Sequence, residues 1–265
     1  KLNSIFKNER ENLESKWNDI KVVIEYGMLT EDKFYDKAES FNLYPTVDDK
    51  YFTYEELEKK IKKLQTDKDG NLIILYAQNK DEQYTYIESA KEKGYEVLLL
   101  DSPIIPHLMQ KLESKKEKVK FSRVDSDTIE NLIKKDEEVI SKLTDEEKEK
   151  LKPMIETAVE NEKYTVQLEA LDSNSMPFML AQPEFMRRMK EMQQTGGGAM
   201  GKLPEMYSLI VNTNHELVGK ILNTRTEKKR NSLIKQSIDL AKLSQNNLTG
   251  KDLTEFINRS IDLIK

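Results

Sequence analysis

Cysteine is absent from all 265 residues, which excludes disulfides, thiolate metal sites and cysteine nucleophiles. That absence suits a reducing compartment, and a cytoplasmic location is expected. Histidine is almost as scarce. His107 and His215 are the only two and lie far apart, so a histidine metal site or a Ser/His pair would have to be assembled from two separate regions. No apolar run approaches the roughly 18 residues a membrane helix needs, and the opening KLNSIFKNER lacks the charged, apolar and small-residue order of a signal peptide. No membrane partner is expected. A basic excess is missing too: 43 Lys and Arg stand against 48 Asp and Glu, the net charge is −5, and the two signs are interleaved, which makes nucleic acid a poor partner. There is no initial methionine either, and a start at Lys1 inside helix-like sequence leads us to expect a piece of a longer chain.

What remains is a charge-rich but foldable composition, 37% hydrophobic and 34% charged, long enough for two ordinary domains. Residues 3–41 read as helices, with Leu13, Trp17, Ile20 and Ile24 at three- or four-residue spacing and Trp17 a core residue. Over 53–124 the character changes. A helix from Thr53 to Leu64, a DKDG turn at 67–70, an apolar strand at 72–76, a helix over 81–93 closed by Gly94, a second strand at 97–100, a short helix over 106–112 and a third strand at 119–124 follow one another. Strands apolar on both faces and alternating with helices predict a small parallel sheet covered by helices.

Residues 125–163 are dense in balanced charge, with helices predicted over 126–141 and 144–159, the second opened by the capping box Thr144-Asp145-Glu146-Glu147. A strand with one wet face is predicted at 164–170 and another strand at 207–211. Helices near 214–222, 226–244 and 250–264 finish the chain. The fold class expected is thus α/β plus α+β: helices over 1–52, a three-layer α/β/α unit over 53–125, and an α+β domain ending in helices over 126–265.

The stretch QQTGGGAMGKLP at 193–204 has the Gly196, Gly201 and Lys202 spacing of a phosphate-binding loop. Its context is wrong, because a helix rather than a strand precedes it and Leu203 and Pro204 stand where a magnesium-binding hydroxyl is needed. The glycines read as a flexible segment. Seven of the ten methionines fall between Met176 and Met206, and Phe185, Met186, Met189 and Met192 lie on one side of a helix whose other side carries Arg187, Arg188, Lys190 and Glu191. The apolar stripe either packs into its domain or, being methionine-rich beside glycines, is a mobile face for varied partners. The last two helices carry Leu233, Ile234, Ile238, Leu240, Ala241 and Leu243, then Leu253, Phe256, Ile257, Ile261 and Ile264. Helices this apolar at a chain end either cover the second sheet or meet a twofold partner in a four-helix interface.

No catalytic constellation stands out. His107 reads as a surface residue, His215 as part of a helix cap, and carboxylates such as Glu146 pair with lysines such as Lys150 along helix faces.

The runs Lys16-Trp17-Asn18-Asp19-Ile20, Glu25-Tyr26-Gly27 and Glu31-Asp32, then ESAKEKGYEVLLLDSPI at 88–104 and LPEMYSLIVNTNHELV at 203–218, together resemble the heat shock protein 90 chaperones in their bacterial form. GYEVLLL before a Pro-Ile turn is the most specific of them. FMRRMKEMQ at 185–193 is similar to the amphipathic helix of that family's C-terminal domain. The resemblance implies the end of a middle domain followed by a C-terminal domain that forms a homodimer through its last helices. The amphipathic helix would project between protomers and help hold non-native client proteins. Client contact is then expected at Phe185, Met186, Met189 and Met192, with His107, Leu108 and Gln110 as further candidates. Dimer contacts are expected among Leu233, Ile234, Ile238, Leu240, Ala241, Phe256, Ile257, Ile261 and Ile264. ATP and magnesium belong in the family to an N-terminal domain, with a catalytic Arg from the earlier middle domain, so no catalytic, cofactor or metal residue is expected in these 265. The chain ends without the acidic tail of eukaryotic cytosolic members, and partners of that tail are not expected. Two rival readings stay open: a small α/β enzyme with ligands near Gln78 or Asp101, and a monomeric adaptor using residues 125–163.

Overall fold

The computed structural model describes residues 2–136, 139–159, 163–196 and 206–264. They form two compact units, one from the described residues of 2–135 and 184–196, the other from those of 136–183 and 206–264.

The first unit opens with helices α1 (Leu2–Asn8), α2 (Arg10–Ser15), α3 (Trp17–Thr30) and α4 (Asp32–Ala38). Trp17 is buried with Leu13, Ile24, Met28 and Tyr35, the core position its spacing predicts. A two-residue ladder follows, β1 (Tyr44–Pro45) antiparallel to β2 (Tyr51–Phe52). Then come α5 (Tyr54–Gln65), β3 (Leu72–Ala77), α6 (Tyr84–Glu92), β4 (Val97–Leu99), α7 (Ile105–Lys115), β5 (Val119–Arg123) and the single turn α8 (Ile129–Leu132). The sheet order is β4-β3-β5, all parallel. β3 is buried along its whole length because it is used on both faces. Leu72, Ile74 and Tyr76 join the core containing Leu57 and Ile61 of α5 and Leu108 and Leu112 of α7, whereas Ile73, Leu75 and Ala77 join Ile87 and Ala90 of α6. Each such aliphatic side chain taken from water contributes about 1.5–3 kcal/mol, which is why a short central strand organises the unit.

Local signals set the ends of these elements. Gly70 (φ 79°) closes the DKDG turn, in which Asp67 accepts from the backbone N–H groups of Asp69 and Asn71, and Gly94 (φ 75°) follows α6. At α5, the Thr53 hydroxyl accepts from Glu56 N–H while the Glu56 carboxylate accepts from Thr53 N–H at 2.9 Å. Arg10 donates to both Glu56 oxygens, at 2.5 and 2.9 Å, and this hydrogen bonding holds the carboxyl down at about 2. A depressed carboxyl stabilises the fold fully above the ordinary glutamate value of 4.5 and loses that contribution as pH falls through about 2. We therefore expect the difference in Tm between the wild type and Arg10→Ala to shrink between pH 4.5 and 2, and to be constant above that window.

The second unit holds α9 (Asp145–Ala158), β6 (Tyr164–Glu169), β7 (Phe178–Ala181), β8 (Tyr207–Asn212), α11 (Glu216–Asn223), α12 (Glu227–Ser244) and α13 (Gly250–Ile264). β8 is central, parallel to β6 and antiparallel to β7. One face of the sheet, with Val166, Phe178, Leu180, Leu209 and Val211, is covered by α9, α11 and α12. On the other face Thr165 and Gln167 are exposed, the wet side expected of this strand. The capping box at Thr144 forms as predicted.

The structure departs from the sequence reading at two points. The helix predicted over 126–141 shrinks to α8, capped by Thr128, because the chain beyond it is recruited elsewhere: the Lys134 carbonyl accepts from Lys68 N–H, and Lys135 donates to the carbonyls of Leu64 and Thr66. β1, β2 and β7 were not predicted, being two to four residues long. Gly196, the first glycine of the segment read as flexible, is the last residue of α10 (Glu184–Gly196), and the rest of that segment, 197–205, lies outside the described residues.

Candidate functional site

α10 follows β7 in sequence, yet it packs on the first unit. Its seat is the C-terminal edge of β3 and β5, where Tyr76 and Arg123 are register partners. Glu184, in the first turn, accepts from the Tyr76 hydroxyl at 2.9 Å and from Arg123 N–H at 3.1 Å. Arg187 donates to the Tyr76 hydroxyl and, at 2.5 Å, to both Glu184 and Glu191. Arg188 reaches across to α7, donating to the two oxygens of Glu113 at 2.8 and 3.2 Å, and also to the Phe121 carbonyl at 2.6 Å. Arg123 completes the cluster, donating to both Asp125 oxygens and to Gln78. Burial pushes the Glu184 carboxyl up, but Arg187 and Arg188 outweigh that and hold it below the ordinary range. A buried ion network of this kind contributes little net stability over an apolar equivalent, but removing one member costs about 3–5 kcal/mol because its partners stay buried.

The helix is therefore seated with its polar face inward. Arg187 is 3% exposed and Phe185 70%. Met189 is exposed as well, and Met186 and Met192 are half-buried. The sequence pattern allows two options, an apolar stripe packed in its own domain or a mobile face for varied partners. Charge pairs anchor α10, and Phe185 and Met189 of the stripe face outward rather than into a core.

α13 repeats the pattern in the second unit. It is joined to α12 by an ion pair of Arg259 with the buried Asp239, by Gln236 donating to the Ser260 hydroxyl at 2.9 Å, and by Lys235 with Glu255 at 3.4 Å. None of its described side chains is buried, and Ile257 and Ile261 (46% each) and Ile264 (85%) are exposed, as are Leu240 and Leu243 of α12.

The residues expected at the two surfaces thus divide. Phe185, Met186, Met189 and Met192 are brought together on α10. His107 is half-buried and Gln110 exposed on α7, but Leu108 is 1% exposed in the first core and offers nothing to a client. Of the residues expected at a dimer contact, Leu240, Ile257, Ile261 and Ile264 are exposed and Leu233 and Phe256 are half-buried. Ile234, Ile238 and Ala241 are not available: they close the core of their own unit against the sheet. Tyr76, Glu113 and Arg123, which seat α10, carry no periodic signal and were not anticipated.

The rival positions are otherwise engaged. Gln78 accepts from Arg123, Asp101 pairs with Lys21, and the strand edge where α/β enzymes bind ligands is filled by α10. His215 caps α11 through its Nδ1, as expected. Part of 125–163 is tied into the second unit by Asn214, whose side chain bonds Ile140 and Lys142. Among the described residues, no group of three His, Asp or Glu is placed to hold a metal ion, and no helix is long and apolar enough to cross a membrane.

Sequence comparison finds relatives of this chain that are named as chaperones. The chain is 38% identical, over 333 aligned residues, to the chaperone protein HtpG of Bacteroides thetaiotaomicron, and likewise to that of Bacteroides fragilis; the alignments cover all of this chain and 49% of each relative. It is 41% identical to HtpG of Porphyromonas gingivalis over 248 residues, 92% of this chain and 36% of the relative. No family model matches the chain. The chain belongs to the heat shock protein 90 family. It spans about half the length of the first-named relatives.

Proposed function

We propose that this chain is the homodimerising, client-holding part of an ATP-dependent chaperone that works in the cytoplasm, with ATP and magnesium bound by a region of the parent protein outside these residues. The observation that supports it is the outward exposure of Phe185 and Met189 on a helix whose two arginines are held in ion pairs on the opposite side. A monomeric globule gains nothing from exposing Phe185 and Met189, whereas a protein that meets unfolded chains needs adaptable apolar surface of modest size. Pairing two protomers then lets two such faces act on one client at high effective concentration. On this reading the chain performs no chemistry itself.

Changing Phe185 and Met189 together to serine tests the proposal. Affinity for a reduced, alkylated and permanently unfolded test protein, read by fluorescence anisotropy, should fall about tenfold or more, the effect of about 1.4 kcal/mol lost from apolar contact. The Tm should hold, since neither side chain is buried. Undiminished binding would overturn the reading.

A further inference from the structure

The first unit is a small doubly wound sheet, and the crevice between β3 and β5 is its switch point: the chain leaves β3 toward β4 on one side and returns to β5 on the other. Sheets of this kind take their ligands there, outside the carboxyl ends of the strands. In this chain the crevice is occupied by the chain's own α10, with the Glu184 carboxylate on Arg123 N–H and the Tyr76 hydroxyl, and Arg188 clamped on Glu113. We infer that Tyr76, Glu113 and Arg123 form an internal receptor for Glu184, Arg187 and Arg188, and that this receptor sets whether α10 is docked and which face it presents.

Two independent features support the assignment. The groups are matched in number and geometry: the Glu113 carboxylate is shared between Arg188 and Phe121 N–H, so it is oriented before α10 arrives. Arg187 also lies over the Tyr76 ring, 5.5 Å from its centroid, so the tyrosine reads the helix by face and by hydroxyl. An undocked α10 is too short to stay helical alone. Docking therefore creates the ordered apolar stripe, and the first unit controls it. The bearing on clients rests on the client-holding reading above; the docking does not.

Hydrogen exchange on the whole chain tests this without any client. In the wild type the amides of 188–193 should be protected. Tyr76→Phe, which keeps the ring in the core and removes only the hydroxyl, and Arg188→Ala, which changes α10 alone, should each speed exchange of those amides at least tenfold and leave β3 and β5 unchanged. Glu113→Gln, neutral and of the same size, should act in the same direction. Wild-type exchange as fast as in the variants, or equal acceleration across β3 and β5 in Arg188→Ala, would overturn the inference. Undiminished client binding in the serine variant, with α10 still protected in the wild type and released in Tyr76→Phe and Arg188→Ala, would overturn the client-holding reading and leave the docking intact, so the two readings fail separately.

Discussion

Replacing Ile257 and Ile261 with aspartate should reduce the mass seen in sedimentation equilibrium from twice the 31.0 kDa chain to the chain itself. Both side chains are exposed on α13, beside Leu240 and Leu243 of α12. Two α12–α13 pairs meeting about a twofold axis would bury this surface, and each side chain would be matched by its symmetry mate. Aspartate at both positions would bring carboxylates into an apolar contact, at a cost of about 4 kcal/mol or more, a thousandfold in the dimer Kd. The fold of the protomer should survive, because the sites are solvent-exposed within it. A wild-type chain that stays monomeric at high concentration would defeat the proposal.

Ile234→Ala should act on the opposite side of the same pair of helices and with opposite consequences. Ile234 is fully buried against Leu180, Leu209 and their neighbours, so its truncation leaves a cavity and should cost about 2–5 kcal/mol of stability. In urea the second unit should unfold at a lower midpoint with an unchanged slope. Self-association of the molecules still folded should persist. A variant that lost its dimer but kept its midpoint would place Ile234 at the interface and undo the division between inner and outer residues of α12.

That division marks the limit of what the amino-acid sequence discloses. β3 is legible because an apolar run between turn residues has few alternatives, and α9 because Thr144 and Glu147 cap each other. α8 is misjudged because Lys134 and Lys135 serve contacts far away in the chain, and no local propensity records those. The apolar stripe of α10 is equally plain in the pattern, yet its orientation is not. Amphipathicity says that two faces differ, and only Tyr76, Glu113 and Arg123, dispersed over three elements, decide which face is seated. On α12 the apolar sector is broad enough to serve two surfaces, and position in the sheet packing separates Ile234, Ile238 and Ala241 from Leu240.

The central place of β8 bears on how the protein is made. β6 and β7 do not touch without it, and it is the last strand in the chain. β7 and β8, although antiparallel neighbours, are separated by residues 182–206, and the entropy lost in closing such a loop grows as about (3/2)RT ln n. The first sheet needs only residues 72–123. During synthesis it can therefore be complete while β6 and β7 still wait as unpaired edges, the condition most open to misassociation.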